Sequence, residues 1–171
     1  MRRTRERDRG VPAPRAQWNE VVPGLWMGGH EWIDEHGELR DAVVTDQFDV
    51  VFSLFTRRGH GPGPARRHVV HEIPDGPLLP PQIDRVAELA VLAAEDVRAG
   101  RKVLVRCRVG LNRSGLLTAQ TLIEQGHDVR TAIGLVRQAR SDSALNNATF
   151  VDYLTTGLSV ASLLSGLEAP I

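Results

Sequence analysis

Hydrophobic residues along the chain fall into two kinds of pattern, and each kind predicts a different element. Short continuous runs of β-branched and aromatic residues, bounded by glycine and proline, are typical of buried strands. Runs of this kind predict strands at 50–55, 69–73 and 103–106. A shorter apolar stretch at 21–27 contains Pro23 and Gly24, which favours a strand at the edge of a sheet.

Apolar residues spaced three and four positions apart predict helices in much of the remaining chain. One helix begins after Pro80 and Pro81 and ends before Gly100, in line with the preference for proline at the start of helices and glycine past their end. Asp128 is a candidate N-cap for a later helix, because its carboxylate can accept from the first free N–H groups. Further helices are predicted at 37–46, 115–125, 129–140 and 147–164.

The order of these elements predicts an α/β fold. Strand, helix, strand and then several helices favour a right-handed crossover and a mostly parallel central sheet of about four to five strands, covered on both faces and flanked by helices. A chain of 171 residues is long enough for one such domain. The Arg- and Pro-rich residues 1–17 are expected to form a flexible tail, and residues 18–167 the folded domain.

Composition and charge exclude several classes of protein. With 42% hydrophobic and 25% charged residues, the chain is neither disordered nor fibrous. The formal net charge of zero predicts neither nucleic acid nor a membrane as a partner. Cys107 is the only cysteine, so an internal disulfide is excluded, and without an apolar leader or spanning run we expect a cytoplasmic protein. Lys102 is the only lysine among 21 basic residues, a bias typical of a GC-rich bacterial genome.

The candidate chemistry lies in residues 103–115, which run from a predicted strand through a tight loop into a helix. Ligands bind at the carboxyl ends of strands in parallel sheets, where the loops 56–68, 74–80 and 107–114 are expected to meet. The amino end of a helix and a nest of inward-facing backbone N–H groups suit a tetrahedral anion. The residues expected to bind phosphate in this way are Arg108, Val109, Gly110, Leu111, Asn112 and Arg113.

Four side chains supply the groups that phosphate chemistry needs. Cys107 begins the loop, where the helix end and nearby guanidinium groups favour a nucleophilic thiolate. The planar guanidinium of Arg113 can bind two phosphate oxygens. The Ser114 hydroxyl can donate to the sulfur and ease its departure from phosphorus. Asp75, just past a predicted strand end, is the candidate acid for the leaving group and base for the attacking water.

The series Cys107, Arg113 and Ser114 resembles the Cys-x5-Arg-Ser signature of the protein-tyrosine and small dual-specificity phosphatases. Asp75 precedes the cysteine by 32 residues, which is similar to the spacing of acid and nucleophile in those enzymes. Further similarity extends over residues 19–156. The resemblance implies a protein phosphatase that acts on phosphorylated proteins or peptides, at tyrosine or at serine and threonine, through a cysteinyl-phosphate intermediate. It implies no metal and no cofactor.

Two departures leave other functions open. Arg106 stands where that family usually has histidine before the nucleophile, so a phosphate-binding module without catalysis remains an alternative. Residues 110–113, Gly-Leu-Asn-Arg, resemble the loop of cysteine-type RNA 5′-triphosphatases, although those enzymes lack an equivalent of Asp75. The basic residues within 57–68 are expected on the rim of the site, as either a docking surface for an acidic substrate or a solvated loop.

Overall fold

The computed structural model describes residues 10–167, which form seven strands and five helices. The strands are β1 (Trp18–Val22), β2 (Leu25–Gly28), β3 (Glu31–Ile33), β4 (Leu39–Asp41), β5 (Val50–Ser53), β6 (Arg67–Val70) and β7 (Val103–Arg106). The helices are α1 (Pro80–Arg98), α2 (Arg113–Glu124), α3 (Val129–Ala139), α4 (Ala148–Thr156) and α5 (Leu158–Leu167).

The central sheet has five strands in the order β1-β2-β7-β5-β6. β1 pairs antiparallel with β2 and the other pairs are parallel, which confirms the predicted α/β fold with a mostly parallel sheet. All four residues of β7 are buried, because this strand lies at the centre of the sheet between β2 and β5. Cys107 follows β7 directly, so the candidate nucleophile lies at the carboxyl edge of the sheet.

The two faces of the sheet are covered differently. On one face, side chains of β2, β5 and β7 pack against buried residues from all five described helices. On the other face, Val51 and Leu104 pack against Val44 and Phe48, which lie in the irregular segment 42–49. The sheet is therefore flanked by helices as predicted, but within residues 10–167 the second face is covered by extended chain and not by a helix.

The helix predicted at 37–46 is wrong, because β3 and β4 form an antiparallel hairpin in this region. Gly37 turns the hairpin with a φ of 75°, a conformation that side-chain-bearing residues rarely adopt. Beyond the hairpin, Ala42 and Val44 are buried whereas Val43 is 41% exposed. This alternation has the two-residue period of extended chain, so these apolar residues do not line one side of a helix.

The strand predicted at 69–73 exists as β6, but it is not buried as expected. It pairs only with β5, at the edge of the sheet, and Val70 is 50% exposed. A β-branched run indicates extended chain well, whereas burial depends on neighbours that the run itself does not specify.

The helix predicted at 147–164 is divided in two. Gly157, with a φ of 94°, ends α4, and α5 continues at an angle of 113° to it. Among the described residues no single helix is long and apolar enough to cross a membrane, and only this bent pair meets the length and composition test.

Part of the predicted flexible tail packs against the domain. Residues 1–9 lie outside the described residues, but residues 10–17 pack against the domain. Ala13 is buried, and Pro14 O accepts from Ile33 N–H at 2.9 Å. Gln17 O accepts from Gly29 N–H at 3.3 Å. Residues 10–17 therefore pack as part of the folded domain, and a flexible tail at residues 1–9 stays a prediction.

Replacing Phe48 by alanine should lower the free energy of unfolding by about 3 to 5 kcal/mol. The ring is 1% exposed and packs edge-on against Trp18, with 5.3 Å between centroids. Chemical denaturation measures the loss. Val43→Ala removes an exposed side chain from the same segment and should cost less than about 1 kcal/mol. Equal losses of stability in Phe48→Ala and Val43→Ala would contradict the role of Phe48 in covering the second face of the sheet.

Candidate active site

The loop of residues 107–112 joins β7 to α2, and its carbonyl groups point outward. Arg108 O accepts from the N–H groups of His30 and Glu31 at 2.6 and 3.2 Å. Leu111 O accepts from Leu145 N–H at 3.0 Å. In a planar trans peptide, the C=O of one residue and the N–H of the next point in opposite directions. The N–H groups that follow these carbonyls are therefore directed to the inside of the loop.

Arg140 holds the middle of this loop. Its guanidinium donates to Val109 O at 3.0 Å and to Gly110 O at 3.1 Å. It also donates to Ala16 O at 2.6 Å and to Asn19 Oδ1 at 2.9 Å, so all four acceptors are neutral. Burial lowers the pKa of Arg140 to about 10, and the side chain remains charged at neutral pH. Sequence reasoning gave it no role, because a contact between residues 30 positions apart leaves no local pattern.

Glycines allow the end of β2 to approach the loop closely. A Cβ at Gly29 would lie 2.6 Å from the carbonyl carbon of Val109, and a Cβ at Gly110 would lie 2.5 Å from Gly28 O. Gly110 also has a φ of 78°. The approach lets Gly28 O accept from Cys107 N–H at 3.3 Å, which fixes the backbone of the candidate nucleophile.

Cys107 is 1% exposed and lies beside the first turn of α2. Its Sγ is 3.2 Å from Ser114 Oγ, and Ser114 is itself fully buried. Val109 and Leu111 turn their side chains into the main core, which anchors the loop around the sulfur. The structure therefore brings a thiol, a hydroxyl and the amino end of a helix together, at the residues that the sequence indicated.

Arg113 is the first residue of α2, and its guanidinium is held from two sides. One terminal nitrogen donates to Ile73 O at 3.1 Å. The guanidinium carbon lies 5.3 Å from the centroid of the Phe55 ring, a cation–π contact. Ile73 precedes Asp75 by two residues, so Arg113 is also connected to the segment that carries the candidate acid.

Asp75 lies against the same loop, although it is 32 residues before Cys107 in the chain. Its Oδ1 accepts from Asn147 Nδ2 at 2.7 Å, and its Oδ2 accepts from Asn112 Nδ2 at 3.3 Å. Sequence reasoning gave the Asn147 side chain no role in the site. Its position directly before α4 is a helix-start signal, and that signal alone does not point to a site.

The sequence matches no protein-family model and no curated protein. The structure is similar to that of human DUSP28, with a TM-score of 0.64 at 16% identity over 86% of this chain and 99% of that chain. It is also similar to that of a mouse putative dual specificity phosphatase complexed with zinc tungstate, with a TM-score of 0.60 at 20% identity over 92% of this chain and 98% of that chain. This chain has the dual-specificity phosphatase fold. A third similar structure is human tyrosine phosphatase-like serine/threonine/tyrosine-interacting protein, with a TM-score of 0.59 at 20% identity over 85% and 98% of the two chains.

In this phosphatase fold, Arg106 turns away from the loop that follows it. The side chain is 1% exposed, and its Nε donates to Ser53 Oγ at 3.0 Å. Its terminal nitrogens donate to His60 O at 2.9 Å and to Gly61 O at 2.5 Å. Burial lowers the pKa of Arg106 to about 10, so a positive charge bound to neutral acceptors lies one residue before Cys107.

Three histidines lie near the Arg106 charge. Burial, with a smaller effect from Arg106, lowers the pKa of His30 to about 3. Burial also lowers the pKa of His60 and of His68, so all three are neutral at pH 7.

In the described part of the chain, no group of three or more His, Cys, Asp or Glu side chains is arranged to hold a metal ion.

The basic residues of 57–68 do not all lie on the rim of the candidate site. Arg57 pairs with Glu31 at 2.7 Å, near the loop of residues 107–112. Arg66 and Arg67 lie at the start of β6, where they pair with acidic residues before β5 and in α1. Because β6 is parallel to β5, its start is at the opposite end of the sheet from Cys107. The prediction that the whole stretch lies on the rim is therefore wrong.

Gly110→Ala should destabilise the protein more than Gly100→Ala. Both glycines have positive φ, 78° and 81°, so both variants incur a conformational cost of about 1 to 2 kcal/mol. Only at Gly110 would the new Cβ meet backbone, at 2.5 Å, whereas nothing lies within 4 Å of a Cβ at Gly100. Chemical denaturation of both variants measures the difference. Equal losses would mean that β2 and the loop are not in close contact.

The protein should lose stability as the pH falls below about 6.5. His30 has a pKa of about 3 when folded and about 6.5 when unfolded, so between these values the unfolded chain binds a proton that the folded chain does not. This difference should lower the free energy of unfolding by about 1.4 kcal/mol per pH unit in that range and leave it unchanged above it. Urea unfolding at several pH values measures the slope. His30→Gln should reduce this slope. Equal slopes in the wild type and in His30→Gln would contradict the assignment of the pH dependence to His30.

Proposed function

We propose that this chain is a cysteine-dependent phosphatase that hydrolyses phosphomonoesters through a cysteinyl-phosphate intermediate. The observation that carries the proposal is the convergence of Cys107, Arg113 and Asp75 on one anion-binding loop. A thiol, a guanidinium and a carboxyl group at such a loop are the groups that two-step phosphoryl transfer requires. The similarity in fold to dual-specificity phosphatases supports it.

In the first proposed step, the Cys107 thiolate attacks phosphorus. A sulfur–phosphorus bond forms as the bond between phosphorus and the leaving oxygen breaks. The inward N–H groups of the loop and the Arg113 guanidinium bind the other phosphate oxygens and stabilise their charge in the transition state. Asp75, in its protonated form, gives its proton to the leaving oxygen.

In the second proposed step, water attacks the phosphorus of the cysteinyl phosphate. Asp75, now a carboxylate, takes a proton from this water. The sulfur–phosphorus bond breaks and inorganic phosphate leaves. The Ser114 hydroxyl, 3.2 Å from the sulfur, donates to the departing thiolate and stabilises it.

We propose phosphorylated proteins or peptides as the substrates, at tyrosine or at serine and threonine. The support is the fold, because two of the similar structures are named as a dual specificity phosphatase and a tyrosine phosphatase-like protein. A bacterial source and a cytoplasmic location stay predictions from the sequence.

A hydrolase of RNA 5′-triphosphates is the second candidate, and the asparagine of Gly-Leu-Asn-Arg favours it. The position of Asp75 favours the monoesterase. An alkoxide or phenoxide needs a proton to leave, whereas a phosphate group leaves as a stable anion without an acid. A phosphate-binding module without catalysis is the third candidate, and Arg106 before the cysteine is its support.

Turnover of p-nitrophenyl phosphate tests the proposed chemistry. Cys107→Ser should reduce activity to the background rate, because a serine hydroxyl is not ionised at neutral pH and cannot replace the thiolate. Asp75→Asn should lower kcat by about 100-fold or more on a phosphopeptide, whose leaving group needs the acid. Full activity of Cys107→Ser would refute the mechanism. Phosphopeptide binding by the wild type without release of phosphate would favour the binding module.

Initial rates on two substrate classes separate the two enzymatic candidates. The wild type should release phosphate faster from phosphotyrosine and phosphoserine peptides than from a short RNA with a 5′-triphosphate. Asp75→Asn should remove most of the peptide activity and leave any triphosphatase activity nearly unchanged. A preference for the RNA that does not depend on Asp75 would favour the second candidate.

A further inference from the structure

Both oxygens of the Asp75 carboxylate are held by asparagine amides. Oδ1 accepts from Asn147 Nδ2 at 2.7 Å, and Oδ2 accepts from Asn112 Nδ2 at 3.3 Å. Asp75 lies in an irregular turn between Pro74 and Gly76, so no helix or strand fixes its carboxyl group. These two amides therefore help to set the direction of the carboxylate.

The Asn147 amide is oriented by a helix cap. Its Oδ1 accepts from the N–H groups of Thr149 and Phe150, at 3.0 and 3.3 Å, at the start of α4. An asparagine side chain ends in one oxygen and one NH2 group, so using the oxygen for the cap directs the NH2 group elsewhere. In this structure it is directed at Asp75.

The Asn112 amide is oriented by the phosphate-binding loop and by α4. Asn112 is fully buried, and its Oδ1 accepts from Asn147 N–H at 2.9 Å. Its Nδ2 donates to Asn146 Oδ1 at 3.2 Å and to Asp75 at 3.3 Å, so both hydrogens of the NH2 group are used. Because Asn112 directly precedes Arg113, the residue that orients the carboxyl group belongs to the loop that would hold the phosphate.

We propose that Asn112 and Asn147 are positioning residues that orient Asp75 for proton transfer, an inference that rests on the proposed phosphatase function. A carboxylate oxygen has two lone pairs, so accepting one amide hydrogen does not prevent it from exchanging a proton with the leaving oxygen or the attacking water. A carboxyl group fixed in this way needs no reorganisation before proton transfer. Loss of either amide lets the carboxyl group rotate away from that geometry.

The dependence of the rate on the leaving group reports this role specifically. Nitrophenolate is a good leaving group and needs little help from an acid, whereas phenolate is a poor one and needs the proton. A defect in the positioning of Asp75 therefore slows phenyl phosphate more than p-nitrophenyl phosphate. A general loss of structure lowers both rates by the same factor, because both are measured on the same sample.

Three variants isolate the contacts. Asn147→Ser keeps an oxygen for the helix cap but removes the amide that reaches Asp75. Asn112→Asp keeps the oxygen that accepts from Asn147 N–H and replaces the donor. Asn146→Ala is the matched control, because the Asn146 side chain bonds to Asn112 Nδ2 and to Ser143 O and not to Asp75.

We expect Asn147→Ser to lower kcat/KM for phenyl phosphate by about 10- to 100-fold and for p-nitrophenyl phosphate by less than about 3-fold. Asn112→Asp also places a negative charge in the phosphate-binding loop, so it should lower both rates, and the rate on phenyl phosphate by the larger factor. Asn146→Ala should leave the ratio of the two rates near the wild-type value. In an Asp75→Asn background, adding Asn147→Ser should change the ratio no further, because the group it positions is already gone.

Equal losses on both substrates, or a further loss of the ratio in the Asp75→Asn background, would overturn the positioning role. These outcomes are distinct from failure of the proposed function. If wild-type turnover of p-nitrophenyl phosphate does not depend on Cys107, the phosphatase proposal fails and the positioning role fails with it. If turnover depends on Cys107 and the ratios do not change, only the positioning role fails.

Discussion

The outward direction of the carbonyl groups in the loop of residues 107–112 is the constraint on which the rest of the site depends. Backbone donors hold Arg108 O and Leu111 O, and the Arg140 guanidinium holds Val109 O and Gly110 O. Each carbonyl turned outward directs the next N–H inward, so the donors and the guanidinium behind the loop shape the proposed anion site. The glycine at position 110 permits the close approach on which these hydrogen bonds depend.

The sequence was sufficient for the parts of the site that are local. Cys107, Arg113 and Ser114 lie within one strand–loop–helix segment, so their spacing already predicted that they share the loop proposed to bind an anion. Arg140 and Asn147 were not predicted, because they reach the site from other parts of the chain and one of them looks like an ordinary helix cap. The wrong predictions about the fold have the same cause. The segment 37–46 and strand β6 contain apolar residues whose burial depends on neighbours far away in sequence.

Two buried guanidinium groups explain why the loop suits an anion even before one binds. Arg140 supports the loop from the side of β1, and Arg106 lies on the side of β5. Both donate to neutral acceptors, and burial lowers the pKa of both without removing their charge. A buried charge that contacts no opposite charge is costly. A phosphate in the loop would offset part of that cost, so the proposed substrate would also stabilise the folded protein.

The contact between Arg140 and Ala16 joins residues 124 positions apart. Such a contact forms only after most of the chain has been made, and its long loop must close before the bond contributes anything. During synthesis from the amino end, the strands of the sheet and the cysteine leave the ribosome well before α3 does. The nascent chain therefore carries Cys107 and its loop for some time without the support of Arg140, and we expect the candidate site to assemble late in folding.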